Sequence, residues 1–512
     1  MLAFIISNLI GLVRQIVIAH AFGTGAEMEA FNAANRVAEV LFNLTAGGAL
    51  ASAFVPTFTG LLTKEDRAGA WKLASSVVNL LLIILILVAA IAALFAPLIV
   101  QRLLAPGFDA GKQLLTIQLL RVLLPSVVIF GVSGLIMGIL NAHQKFLIPA
   151  LTPAMYALGM IFGVLVFSPS LGIFGLAWGA VIGAALHLIL QIPSLLRLKG
   201  MYMPLLGLDN PLVQQVGKLL LPRMFGAAIV QLNFWVNTLL ASFQPTGSLN
   251  GVVYAFQLML MPQVAIAQSI AIAAMPTFSR QAALGKLDEM RASLAAALRG
   301  VLLLSMPAAV GLMLLRRPIV ALLYQRGEFT AHSTELVAWA LLWYAAGLVG
   351  HSVVEVLARA FYALQDTRTP VTIGAIAMGL NVALSLLFVR WFAAIGWMPH
   401  GGLALANSTA TALEMVGLLI LIRRKLAGIS GARIMNAFWL ALTGSLVMAG
   451  SIHGIVQVLS SYSFLLQGLA GILVGGVVYA GVLTLLRVDE IHMLVGAIKR
   501  RLPISFFINK RS

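Results

Sequence analysis

The chain has no cysteine, which excludes disulfides, thiolate metal sites and cysteine nucleophiles together. Charge is scarce as well: 10% of the 512 residues are Asp, Glu, Lys or Arg, against 61% hydrophobic residues. Acids are rarest, 16 against 33 Lys and Arg, leaving little for a carboxylate-rich metal centre or an obvious general base. The eight histidines form no HExxH pair and there is no GxSxG. "GFDAGKQ" at 107–113 is one residue short of a phosphate loop and lacks Ser or Thr after Lys112, so it reads as a plain loop. These absences argue against a membrane glycosyl or phosphoryl transferase.

What is present is apolar sequence, at a mean hydropathy of +1.01. A chain with so little polar surface cannot cover itself in water, so an ordinary soluble globule is excluded. Runs of ~20 apolar residues recur, each long enough at ~1.5 Å per residue to cross a ~30 Å hydrocarbon core. Short polar loops and Pro/Gly breaks favour helices over a barrel. The expected fold is an all-α polytopic membrane protein with about 14 transmembrane helices, the last two near 434–459 and 464–486. The runs at 30–60, 213–243, 250–279 and 334–363 exceed a simple crossing and predict tilted or interfacial extensions.

The formal charge of +17 has a topological explanation. With the amino terminus in the cytoplasm, 21 Lys/Arg fall inside and six outside (Arg102, Lys112, Arg316, Arg317, Arg326 and Arg390), the bias that sets orientation. This puts both termini in the cytoplasm and makes a nucleic-acid partner unnecessary. The tail "KRRLPISFFINKRS" fits an anionic inner leaflet. The start "MLAFIISNLIGLV" has neither a basic leader nor a cleavage signal and is expected to be a retained first span.

The sequence repeats itself. "LNAHQKFLIPA" (140–150) aligns with "FYALQDTRTPV" (361–371), so that Ala142, Gln144 and Pro149 match Ala363, Gln365 and Pro370 at an offset of 221. "AFVPTF" (53–58) matches "AAMPTF" (273–278), Pro97 matches Pro318, and Phe108 matches Phe329. About six spans separate each pair, and an even number returns the chain to the same side. The halves are therefore parallel repeats, expected as two six-helix lobes about a pseudo-two-fold axis along the membrane normal. The division is 1–210 and 211–430 for the lobes, 431–490 for two extra helices and 491–512 for the basic tail. Duplication kept only for packing is the alternative. The repeated loops read as helix-ending turns, with Pro149 and Pro370 at the following helix starts. Gly175, Gly179 and Gly183, and Gly471 and Gly475, read as close-packing ladders.

Charges within the spans are the candidate functional residues: Arg14, Arg36, Glu39, Arg121, Arg223, Glu355, Arg359 and Glu414, with Glu29 near an outer helix end. Each costs at least ~2.5 kcal/mol on a lipid-facing helix centre, so they are expected to face inward. Arg36/Glu39 and Glu355/Arg359 are spaced to neutralise one another on one helix face or to serve a site. Arg14 and Arg223 have no opposite charge within a turn, which suits binding of phosphate or carboxylate oxygens.

At these residues the sequence resembles the MurJ (MviN) family of lipid II flippases, within the superfamily of multidrug, oligosaccharidyl-lipid and polysaccharide exporters. The carrying stretches are "GLVRQIVIAHAFG" (11–23), "AGGALASAFVPTF" (46–58), "LLAPGFD" (103–109), "NTLLASFQPTGS" (237–248), "LYQRGEFT" (323–330) and "FYALQDTRTPV". The resemblance implies a 14-helix transporter with a central cationic cavity for the lipid II headgroup and a polyprenyl-tail groove on the two extra helices. It places Arg14, Glu29 and Arg36 on family cavity positions. It finds Asn8, Phe42 and Gln257 where the family has arginines and Gly47 where it has glutamate, with Arg223 a candidate to supply missing charge. The first helix starts later than the family's, which implies a shortened start.

The expected function is export of lipid II to the outer leaflet of the bacterial cytoplasmic membrane by alternating access, as a monomer with no required cofactor. No residue names a coupling monovalent ion. An ion-coupled exporter of drugs or of other polyprenyl-linked oligosaccharides is the alternative, disfavoured for cationic drugs by the excess of Arg over Glu. A non-transporting scaffold is a third reading. An inside-negative potential favours outward movement of an anion by about 2.3 kcal/mol per charge per 100 mV.

Overall fold

In the computed structural model the described residues, 2–45 and 48–488, are helices joined by turns, with no strand among them. Gly47 and the basic tail, two subjects of the expectations above, lie outside the described residues. The chain divides into two compact units: Met1–Asn250 with Tyr324–Ser333, and Gly251–Leu323 with Thr334–Ser512.

The first unit begins with α1 (Leu2–Phe22), α2 (Ala26–Thr45), α3 (Gly48–Thr63) and α4 (Arg67–Leu94). A short α5 (Ala96–Leu98) runs into a π-helical stretch, Ile99–Leu104, before the long α6 (Ala110–Ala142). Then α7 (Leu147–Phe162), a second π stretch (Gly163–Phe167) and α8 (Ser168–Leu171) form one continuous rod, followed by α9 (Ile173–Ile189), α10 (Ile192–Leu196) and α11 (Pro211–Ser242). Short polar side chains start several of these helices by accepting otherwise unpaired amides: Asp66 from Gly69 at 2.8 Å, Asp109 from Lys112 at 3.0 Å and Asn210 from Leu212 at 2.9 Å. Asp109 thus has a capping role in the loop that resembled a phosphate cradle, and the Lys112 amide hydrogen bond holds its carboxyl below the usual range.

The remaining helices are α12 (Ser248–Gln263), α13 (Ser269–Ala283), α14 (Leu287–Leu314), α15 (Arg316–Tyr324), α16 (Ala331–Ala363), α17 (Arg368–Ala394), α18 (His400–Lys425), α19 (Gly431–Val458) and α20 (Phe464–Leu485). The long run at 250–279 is resolved into α12 and α13 joined by a π stretch, Val264–Gln268, with Pro262 just before it. A proline removes one amide from the ladder, and the wider π turn absorbs the mismatch. The two helices beyond the repeat pack on α14 through Leu303, Met306, Met448, Ile452 and Leu483, and the Tyr479 hydroxyl donates to the Leu303 carbonyl at 2.6 Å.

Among the described residues eleven helical segments are long and apolar enough to cross a membrane. The other expected crossings coincide with α1, with α2 and α3, and with α11. Close packing follows the glycines. A Cβ on Gly163 would lie 2.5 Å from the Gly179 Cα, and one on Gly179 would lie 2.8 Å from the Gly163 Cα, so α9 rests against the rod of α7 with no side chain between.

The repeated loops have one local geometry. Gln144 and Gln365 both take φ of +58°, the left-handed conformation that ends a helix. The following amides, Lys145 and Asp366, reach back to the carbonyls of Leu140 and Phe361 at 2.9 and 3.0 Å. Pro149 and Pro370 are each the third residue of the next helix, where the amide has no intrahelical acceptor.

Candidate functional site

Of the charged residues of the first two helices, Glu39 lines a cavity of about 360 Å³ inside the first unit, and Arg14 and Arg36 contact residues of its wall. Its walls come from α2 (Asn35, Glu39, Asn43), α6 (Ser126, Phe130), α7 (Tyr156) and α9 (His187). These helices meet because α2 packs on α6, α6 on α9, and α9 on α7.

Glu39 gathers its neighbours: Arg36 donates to one carboxylate oxygen at 2.6 Å and Asn35 to the other at 2.8 Å. The guanidinium of Arg36 also lies 5.0 Å from the Phe234 ring of α11. Arg14 is different. Its guanidinium carbon is 5.8 Å from the centre of the Tyr156 ring, and one nitrogen contacts the Met160 sulfur at 3.9 Å. Its Nε is buried without a hydrogen-bond partner, and no carboxylate pairs with it among the described residues. Tyr156 and Glu39 line the same cavity, so its rim carries two arginines against one carboxylate. A ring face and a thioether are weak partners for a full charge. Arg14 therefore retains donors for an anion.

Behind His187 of the far wall lies a small buried polar cluster. Gln191 donates to the Ser133 hydroxyl at 2.6 Å, and that hydroxyl is 2.6 Å from His187 Nδ1.

Glu29 lies apart from this cavity's lining. It is 2% exposed; one carboxylate oxygen takes the Lys112 ammonium at 2.8 Å and the other the amides of Gly247 and Leu249 at 2.8 and 3.1 Å. The carboxylate thus caps the start of α12 and neutralises a buried lysine, with both of its oxygens engaged inside the protein. Lys112 also donates to Thr246, and Asn32 donates to Asn250, which in turn donates to the Gly25 carbonyl. Lys112, an outer loop charge by sequence, is buried and paired. Its assignment to the same side as Glu29 was the signal available for the pair.

The other candidates are dispersed. Gln257 is half-buried on α12, in the second unit. Arg223 falls on α11, and its side chain lies outside what the structure describes. Glu355 and Arg359 pair on one face of α16 at 2.9 Å, while Glu414 has no ion pair among the described residues and sits beside Gly374 of α17. Arg121 departs from the inward expectation: it is exposed and its Nε donates to the Ala93 carbonyl at 3.2 Å, using an acceptor that the end of α4 leaves open. Of the substituted family positions, Asn8 is exposed, and Phe42 lines the cavity against Phe130 with ring centres 5.4 Å apart.

Comparison with known proteins identifies the family. The family model described as "Lipid II flippase MurJ" matches residues 18–474. The chain belongs to the MurJ family. The "Probable lipid II flippase MurJ" of Vibrio cholerae is 33% identical over 421 residues, covering 80% of this chain and 79% of the relative. The "Lipid II flippase MurJ" of Burkholderia cenocepacia is 30% identical over 460 residues, covering 88% and 87%. A solved MurJ lipid II flippase in an inward closed conformation superposes with a TM-score of 0.82 at 26% identity, over 96% of this chain and 99% of the other. An inward-facing MATE-family multidrug transporter shares the fold at a TM-score of 0.70 and 15% identity, over 82% and 94%. The family expectation thus holds, and MurJ membership disfavours the drug-exporter alternative.

Proposed function

We propose that this chain flips lipid II, a polyprenyl-diphosphate-linked peptidoglycan precursor, from the inner to the outer leaflet of the bacterial cytoplasmic membrane. The observation that carries the reading, given the family, is Arg14: an intramembrane cation against the wall of a cavity, with no carboxylate partner among the described residues. A large polar headgroup cannot cross hydrocarbon unaided, because each buried unpaired polar group costs several kcal/mol. Arg14 and Arg36 supply charge-assisted hydrogen bonds to diphosphate oxygens, with Arg223 as a further cation, while Glu29 holds the start of α12.

The two repeats, 1–210 and 211–430, alternate access around the headgroup as a monomer, and the helices of 431–490 guide the polyprenyl tail. The basic loops hold both termini in the cytoplasm. Complementation of a flippase-depleted bacterium tests the reading. The wild-type chain restores growth and Arg14→Ala fails at equal membrane abundance. Full growth with Arg14→Ala removes Arg14 from the mechanism, and no growth with the wild-type chain removes the function.

A further inference from the structure

A second cavity, of about 330 Å³, lies in the second unit where four helix ends meet: the last turns of α14 and α19 and the first turns of α15 and α20. Its polar wall is Arg316, Arg317 and Gln467, and its apolar wall is Leu314, Val456 and Phe464. Helix C-termini normally face such a space with unpaired carbonyls. Here side chains take one such carbonyl of α14 and the carbonyls of the turn that follows α19. Gln467 Nε2 donates to the carbonyls of Leu459, Ser460 and Tyr462 at 3.1, 3.4 and 3.0 Å, and one Arg316 nitrogen donates to the Met313 carbonyl at 2.6 Å. What remains toward the cavity is electropositive.

Arg317 is neutralised by Glu335 through contacts of 2.7 and 3.0 Å. Arg316 has no carboxylate partner among the described residues, and the Met313 carbonyl uses one of its five N–H groups. Beside the cavity, Tyr462 and Phe464 are exposed aromatics of the kind found at membrane interfaces, and α20 continues with exposed Leu465, Leu469, Ile472 and Leu473.

We propose that this cavity binds the phosphate of a lipid, with Arg316 as the principal donor and the hydrocarbon tail lying along the exposed face of α20. Free inorganic phosphate fits less well: the cavity has room beyond one phosphate, and half of its wall is apolar. Two lipids carry this chemistry, a polyprenyl diphosphate and an anionic glycerophospholipid. Placement at the outer leaflet rests on the orientation proposed above, while phosphate binding does not.

The test uses the full chain in lipid nanodiscs with photoreactive benzoylphenylalanine at position 460, on the cavity wall. Cross-linking is read with phosphatidylglycerol, with undecaprenyl diphosphate and with uncharged diacylglycerol. The proposal expects capture of at least one phosphate lipid, reduced about tenfold by Arg316→Gln and largely kept by Arg316→Lys, with diacylglycerol at background. Capture of undecaprenyl diphosphate alone identifies the translocated lipid's tail end, and capture of both identifies a resident anionic lipid. Equal capture of diacylglycerol, or no effect of Arg316→Gln, overturns the site. An unchanged thermal unfolding midpoint shows that the variant is folded. Because capture needs no translocation, a chain that binds these lipids yet fails complementation loses the flippase reading and keeps this one.

Discussion

Two ion pairs outside the cavity show how differently one charge can act in this chain. Glu29 and Lys112 are 2% and 7% exposed, so removing either strands the other in a low-dielectric setting. Glu29→Ala is expected to cost about 3–5 kcal/mol, read as a lowered unfolding midpoint in detergent. Replacing both charges, Glu29→Gln with Lys112→Met, should recover most of that loss, because the cost comes from the unpaired charge. Asp366 acts at the surface. Lys425, 2.6 Å away, together with the Thr369 amide and hydroxyl, pushes its carboxyl down to about 2. A depressed carboxylate contributes stability that is fully present above its unfolded value of about 3.9 and is lost as pH falls toward about 2. Protection from hydrogen exchange at the start of α17, taken relative to the intrinsic rate at each pH, should therefore fall between those pH values in the wild-type chain, and already be low at neutral pH in Asp366→Asn. A wild-type exchange profile identical to that of Asp366→Asn would remove the pair from the account.

At the scale of elements, the repeat made the turns legible. Matching Gln144 with Gln365 marked two helix ends, and both adopt the same left-handed residue and the same back-reaching hydrogen bond. The glycine ladder in α9 likewise marked a close contact, though not its partner, since spacing reports a helix face and not what lies against it. Gly179→Leu places a branched side chain where the Gly163 backbone sits and should cost at least about 1–3 kcal/mol through overpacking. Gly172→Ala, with open space around its Cβ position but a φ of +56°, separates backbone strain from crowding in the same unfolding measurement. Less legible were contacts joining residues far apart in sequence. Glu29 with Lys112, 83 positions on, and the chain from Gln191 through Ser133 to His187 depend on which helices become neighbours. Local periodicity carries no record of that choice.

For the whole molecule, apolar run lengths were enough to foresee an all-helical membrane protein, and the quoted motifs were enough to indicate the family that the comparisons establish. The distribution of charge carries the mechanism: acids are few, and Glu29, Glu39 and Glu355 are each paired with a base, while Arg14 stays uncommitted at a cavity rim. That imbalance is what an anionic headgroup requires of a passage through hydrocarbon. The most direct measurement is leaflet exchange of fluorescent lipid II in liposomes containing the purified chain. The account predicts exchange well above that of protein-free vesicles, reduced about tenfold or more by Arg14→Ala, consistent with loss of a charge-assisted contact. Exchange no faster than in protein-free vesicles would contradict it.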